Sequence, residues 1–121
     1  MGSVLTPSKA AMNQMIKDCL GENYFMVSSV SLQATHLVVF AHLRLGPLIS
    51  GVTTDSVATG LNGSMGNKGS VKVSFKLAET SMTIINSHLH SGQDEVVQRN
   101  KDIKQILKKF IEPQKQKHQK N

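Results

Sequence analysis

The stretch SMGNKGSVKVSFKLAETSMTIINSHLH, residues 64–90, opens on small residues and passes into strict alternation. Val71, Val73, Phe75 and Leu77 fall on one side of an extended chain, and Lys72, Ser74 and Lys76 on the other. That pattern predicts a strand with one face buried. A second strand is predicted over residues 81–90, and it ends in a polar cluster. Alternation continued from Ile84 would bring Asn86, His88 and His90 to one side of a sheet edge, with Ser87 and Leu89 on the other. Gly66 and Gly69 flank Asn67 and Lys68, which leaves that backbone unshielded and offers the lysine ammonium to a phosphate oxygen. The same four residues also suit an ordinary hairpin turn, and the spacing of a Walker loop is absent. His88 and His90 could ligate a metal, but no Cys, Asp or Glu at a recognisable spacing completes a set. A strand-end histidine is more commonly held in a structural hydrogen-bond network.

Upstream, TPSKAAMNQMIKDCLG (6–21) reads as a short helix, with Pro7 and Ser8 at its start and Gly21 as its stop. Ala11, Met12, Met15, Ile16 and Cys19 or Leu20 recur at helical spacing along it. Two β-rich runs follow, NYFMVSSVSLQ and THLVVFAHLRL, and a polar step at 33–35 suits an antiparallel hairpin between them. Residues 37–41 are continuously apolar, which predicts a strand covered on both faces. The glycine-punctuated segment 46–69 reads as a long loop system with a short strand at Ser56–Thr59. Downstream of Asp94 the period changes: Val96, Val97, Asn100, Ile103, Ile106, Leu107, Phe110 and Ile111 lie along one helix, with Pro113 as its expected end. Asp94, Glu95, Arg99 and Asp102 then fall in its first turns, where acids complement the helix dipole and Glu95 and Arg99 can pair at i, i+4. Strands followed by a packed helix give an α/β or α+β layered fold.

The chain has 121 residues and a formal net charge of +6, with 4% aromatic residues and no Trp. That fits one domain with a thin core. Residues 101–121 hold seven Lys against two acids, whereas residues 1–100 are nearly neutral. The basicity is therefore a tail property, and it argues against a nucleic-acid-binding surface on the fold itself. A single Cys19 excludes an internal disulfide framework and makes a cytoplasmic location the default expectation. No apolar run approaches the length of a membrane span, and the start MGSVLT only weakly permits a lipid anchor.

The order of these pieces is more specific than any one of them. SVATGLNGSMGNKGSVKVSF (56–75), followed by IINSHLHSGQDEVVQRNKDIKQIL (84–107), resembles the inositol polyphosphate 5-phosphatases, which carry a T-G-x(5)-G-N-K-G loop, an N-S-H-L strand end and an R-N-x-D helix. The likeness runs from about residue 7 to residue 110. It implies a partial β-sandwich of the endonuclease/exonuclease/phosphatase type, mostly antiparallel with flanking helices, in a magnesium-dependent phosphomonoesterase. The substrates implied are phosphoinositides or soluble inositol polyphosphates, met at the cytosolic face of membranes. By position, His88 falls on the family's active-site histidine, Asn67, Lys68 and Asn86 on substrate-side residues, and Arg99, Asn100 and Asp102 on the helix motif that supports them. His90 departs from the pattern: the family usually has a small residue there and a second histidine two positions later, where this chain has Gly92.

The family's L-Q-E, W-N-x-N, G-D-L-N, P-x-W-C-D-R and S-D-H segments do not occur. The resemblance therefore implies the middle of a longer catalytic domain over residues 1–112, with a Lys/Gln-rich tail over 113–121. A magnesium site would have its ligands elsewhere. The expectation is no hydrolysis by the isolated chain, and self-association through unmet sheet surface. The alternative is a non-catalytic phosphoinositide- or protein-binding remnant of the same family. A nuclease reading is disfavoured, since the charge lies outside the predicted fold.

Overall fold

The computed structural model describes residues 8–61, 63 and 65–118, the side chains of 113–118 excepted. In chain order these form α1 (Lys9–Leu20), β1 (Tyr24–Leu32), β2 (Thr35–His42), a 3-10 turn (Leu43–Leu48), β3 (Ile49–Gly60), β4 (Met65–Leu77), β5 (Thr80–His88) and α2 (Val96–His118). β1 and β2 make a two-stranded antiparallel sheet; β3, β4 and β5 make a three-stranded antiparallel sheet with β4 central. β1 packs against β3 and β4, and β2 against β4 and β5, so the two sheets lie face to face. The result is part of a sandwich with a helix outside each sheet, the fold class expected.

Local chemistry accounts for the joints. The Ser8 hydroxyl accepts from the Ala11 amide at 3.1 Å to cap α1, and Gly21, at φ 89°, closes its C-terminus. The β1–β2 and β4–β5 hairpins each turn through a residue at positive φ, Gln33 at 49° and Ala78 at 52°, as tight antiparallel turns demand. The segment read as a long loop is instead mostly strand. β3 runs twelve residues and pairs with β4 from Ile49↔Leu77 to Gly60↔Met65, so the predicted Ser56–Thr59 piece is only its inner third. β3 lacks hydrophobic alternation because it lies at the sheet edge, with residues 50–54 exposed, and its order comes from pairing with β4.

Val71 and Val73 are fully buried and Phe75 nearly so, as the alternation requires. The opposite face of β4 is not simply wet. α2 lies over β3 and β4, packing Ile106 and Phe110 against Val57 and partly buried Leu89. Ser70 and Lys72 on that face are buried as well. The Lys72 ammonium lies 5.1 Å from the Phe110 ring centroid and donates to the Phe110 carbonyl at 3.4 Å. A lysine read as solvent-facing is thus buried, its charge met by a ring face and a carbonyl. α2 also continues beyond its expected stop, to His118. Pro113 thus falls within the helix, without the N–H that would bond the Lys109 carbonyl.

One further expectation is corrected on the other side. The run 37–41 is half-buried rather than covered on both faces. α1 turns Lys9, Asn13 and Lys17 toward the β1–β2 sheet and leaves a crevice of about 450 Å³ there. Its Met12, Met15, Ile16 and Leu20, which recur at helical spacing, are exposed.

Candidate functional site

The GNKG segment lies within β4, at an irregularity of the β3–β4 ladder. Between the pairs Ala58↔Gly69 and Gly60↔Met65, β3 advances two residues while β4 advances four. Asn67 and Lys68 occupy the resulting bulge, a device that redirects side chains away from the regular pleat. Its glycines answer to packing. At Gly69, φ +152°, a Cβ would stand 2.1 Å from the Val57 carbonyl and 2.8 Å from Leu32 Cδ2. At Gly66 it would stand 2.9 Å from Leu32 Cδ1. Gly60 makes room for the Asn67 side chain, whose Oδ1 lies 2.3 Å from where a Cβ would be. Leu32, at the tip of the opposite hairpin, therefore beds onto the β4 backbone and holds the bulge in place. Leu32 did not stand out in the sequence, and Gly60 did so only as part of the T-G-x(5)-G-N-K-G motif. The signal was there only as the spacing of glycines, which does not reveal what approaches them.

His88 is the last residue of β5 and pairs directly with Gly69. With no side chain opposite, its ring meets the redirected lysine, and Lys68 Nζ lies 3.0 Å from His88 Nε2. His88 is exposed and Lys68 half-buried. Asn86, two residues earlier on the same face, donates from Nδ2 to the His36 carbonyl at 2.8 Å and so ties β5 to β2 across the sandwich. Its amide nitrogen is committed to holding the sheets together, which positions the strand end that carries His88.

His90 does not join them. The strand ends at His88, alternation stops, and the His90 ring instead meets α2: Nδ1 lies 2.6 Å from Asp102 Oδ2. The His90 amide donates to the same oxygen at 3.3 Å, and Gln98 Nε2 donates to Oδ1 at 3.0 Å. Burial raises the Asp102 carboxyl, but the bonds from the His90 ring, Gln98 and the His90 amide outweigh it and leave the group below its ordinary range. Arg99 donates to the His90 and Gly92 carbonyls at 3.0 and 2.6 Å rather than pairing through its guanidinium with Glu95. Arg99 and Asp102 thus clasp the strand exit, 90–92, to the helix; Asn100 is exposed and makes none of these contacts. The three polar residues expected to converge divide into Asn86 with His88 on one side and His90 on the other.

Among the described residues no three His, Cys, Asp or Glu side chains are grouped to hold a metal. Lys68, His88, Asn67 and Asn86 offer no carboxylate, and Asp102 is engaged by His90 and Gln98, so this set does not fit magnesium, which demands oxygen ligands. What the arrangement can do is present an ammonium and an imidazole, fixed by a bulge and a strand end, to an anion in an open position.

The sequence profile of endonuclease/exonuclease/phosphatase family 2 matches residues 3–121. The chain belongs to that family. Within it, the chain is similar to members of the inositol polyphosphate 5-phosphatase branch. It is 34% identical to human synaptojanin-2 over 110 residues, which is 89% of this chain and 7% of that protein. It is 36% identical to mouse type II inositol 1,4,5-trisphosphate 5-phosphatase over 91 residues, 75% of this chain and 9% of that one. Among solved structures, the inositol polyphosphate 5-phosphatase domain of SpSynaptojanin, in complex with inositol (1,4)-bisphosphate and calcium ion, superposes with a TM-score of 0.72 at 27% identity. That match covers 84% of this chain and 32% of that domain, so the chain spans about a third of the solved family member.

Proposed function

We propose that this chain is the substrate-side portion of an inositol polyphosphate 5-phosphatase, in which Lys68 and His88, with Asn67 beside them, receive a phosphate monoester of an inositol phosphate or phosphoinositide. The observation that carries this reading is the 3.0 Å approach of Lys68 Nζ to His88 Nε2 at an exposed strand end. Two donors so placed can neutralise charge on a phosphoryl group, the main demand of phosphate-ester hydrolysis. His88 has the catalytic role in this reading, as the group touching the scissile phosphate. Lys68 and Asn67 bind substrate, Asn86 fixes the strand end, and Arg99 supports it from α2, while Asn100 has no contact there. Magnesium would be supplied at carboxylates outside this donor set. The same reading gives a cytoplasmic protein in peripheral contact with membranes, consistent with the lack of any helix, among the described residues, long and apolar enough to cross one.

A second reading, a phosphoinositide-binding module without catalysis, is favoured by the lack of any carboxylate beside His88 among the described residues. One experiment separates the two. The 121-residue chain is titrated with soluble inositol phosphate and with phosphoinositide vesicles, and phosphate release is followed with added magnesium. Binding weakened in Lys68→Met and in His88→Gln, with no release, is the expected result. Release by the chain alone would overturn its inactivity in isolation, and no binding of either ligand would overturn both readings. Exposed Met82, Ile84, Ile85, Ile103 and Leu107 along β5 and α2 make self-association part of the proposal, read as a solution mass above one 13.2 kDa chain.

A further inference from the structure

We infer that anion capture at the Lys68–His88 pair is coupled to uptake of one proton by His88. The inference rests on the reading above, since it concerns the same site, but it adds a property which that reading does not require. A lysine ammonium carries three donors and no acceptor, so a contact of 3.0 Å between Nζ and His88 Nε2 requires the ring nitrogen to offer its lone pair. In the free protein His88 is therefore the neutral tautomer with its proton on Nδ1. A second proton on the ring would set two positive charges within a hydrogen bond's length of each other.

Among the described residues no carboxylate forms an ion pair with Lys68 or His88 to relieve that repulsion. The ion pairs among the described residues are His90–Asp102 and Lys109–Asp55, and neither includes Lys68 or His88. On β5, Asn86 is neutral and bonded to the His36 carbonyl. On β2, the His36 ring is turned away, to Ser31 at 2.7 Å and Asn13 at 2.8 Å. From α2, Asp102 is taken by His90 and Gln98, and Arg99 by the His90 and Gly92 carbonyls.

A tetrahedral dianion entering between the two nitrogens reverses the balance. It accepts from the ammonium, separates it from the ring, and accepts from Nε2 only if Nε2 bears a proton. That proton comes from solvent, forms the Nε2–H bond and leaves an imidazolium. The bound state thus holds two cations on one dianion, where the free state holds one cation and a neutral ring. Ligands of this class are phosphate monoesters, whether on a free inositol or on a lipid headgroup.

Sulfate is the probe of choice, because it is a tetrahedral dianion with no proton of its own near neutral pH. Imidazole nitrogen resonances of the intact chain first give the tautomer and the titration midpoint of His88. Calorimetric titration with sulfate, above that midpoint and in buffers of differing ionisation enthalpy, then counts protons. The expected results are the Nδ1–H tautomer, uptake approaching one proton, and affinity falling about tenfold per pH unit above the midpoint. In Lys68→Met sulfate affinity should fall; in His88→Gln the pH dependence should vanish while weaker sulfate binding persists. Both positions lie outside the buried core, and should either variant fail to fold, the proton count on the unaltered chain decides. Sulfate bound without proton uptake, or an Nε2–H tautomer in the free state, would overturn the coupling and leave the anion site standing. No saturable response of His88 to sulfate would overturn the site itself. Comparing a soluble inositol phosphate with phosphoinositide vesicles in the same assay distinguishes free from lipid-borne phosphate.

Discussion

The two α-helices among the described residues carry apolar stripes of similar appearance, and one of the two is buried. α2 turns Asp102, Ile106 and Phe110 inward, where Ile106 and Phe110 are each 2% exposed, against β3 and β4. α1 is attached through its polar side, by Asn13 Oδ1 accepting from His36 Nε2 at 2.8 Å and by the Lys9 ammonium donating to the Gln33 carbonyl. Its Met15 is 60% exposed. Helical spacing of apolar residues thus shows that a stripe exists without showing that it faces inward. The difference lies in how the sheets are met: Val57 on β3 is buried against Ile106 and Phe110 of α2, whereas β1 and β2 turn Ser29, Ser31 and His36 together with Met26, Val30 and Phe40 toward a crevice that α1 lines with Lys9, Asn13 and Lys17.

Substitutions that grade this contrast should fall in a definite order. Phe110→Ala removes the ring that packs on Val57 and meets the Lys72 ammonium, and it should cost about 3–5 kcal/mol in urea unfolding. A loss below about 1 kcal/mol would show that the α2 interface is not the core it resembles. Asp102→Asn should come next, at about 1.5–3 kcal/mol, from bonds made by a charged carboxylate. This one also has a pH signature. The folded-state pKa lies below the unfolded value, so the contribution is complete above about pH 3.9 and is lost as pH falls through the folded pKa. Urea midpoints measured across that acid range should decline more steeply for the unaltered chain than for the Asn variant.

On the α1 side the effects shrink. Asn13→Ala should cost about 1 kcal/mol by deleting the bond to His36, and Met15→Ser should lie within about 0.5 kcal/mol, since the methionine is already in water. Should Met15→Ser instead destabilise as much as Phe110→Ala, α1 must bury its apolar stripe and the contrast between the helices would fail.

Much of the architecture was legible because it is local. Ser8 and Gly21 delimit α1, the polar step at 33–35 makes the first hairpin, and the alternation through Phe75 makes β4. β3 was not legible beyond a few residues, since an edge strand of Ser, Thr and Gly has no periodicity of its own. The site was legible by residue type more than by arrangement. Lys68 and His88 stand twenty positions apart, and their meeting depends on a bulge that the bedding of Leu32 on glycine backbone maintains. The placement of His90 failed for a simpler reason: alternation holds only while the strand lasts, and here it lasts to His88.

By itself the sequence determined the family, the strand pairs and the identity of the nitrogen-bearing side chains, because periodicity, caps and motif spacing are short-range properties. Only the tertiary structure decided which helix face is buried, that Lys72 lies under an aromatic ring, that His90 belongs to α2, and that an ammonium rests against the imidazole of His88. Each of these depends on surfaces brought together from distant parts of the chain, where close packing and the need to satisfy buried polar groups outweigh local preference.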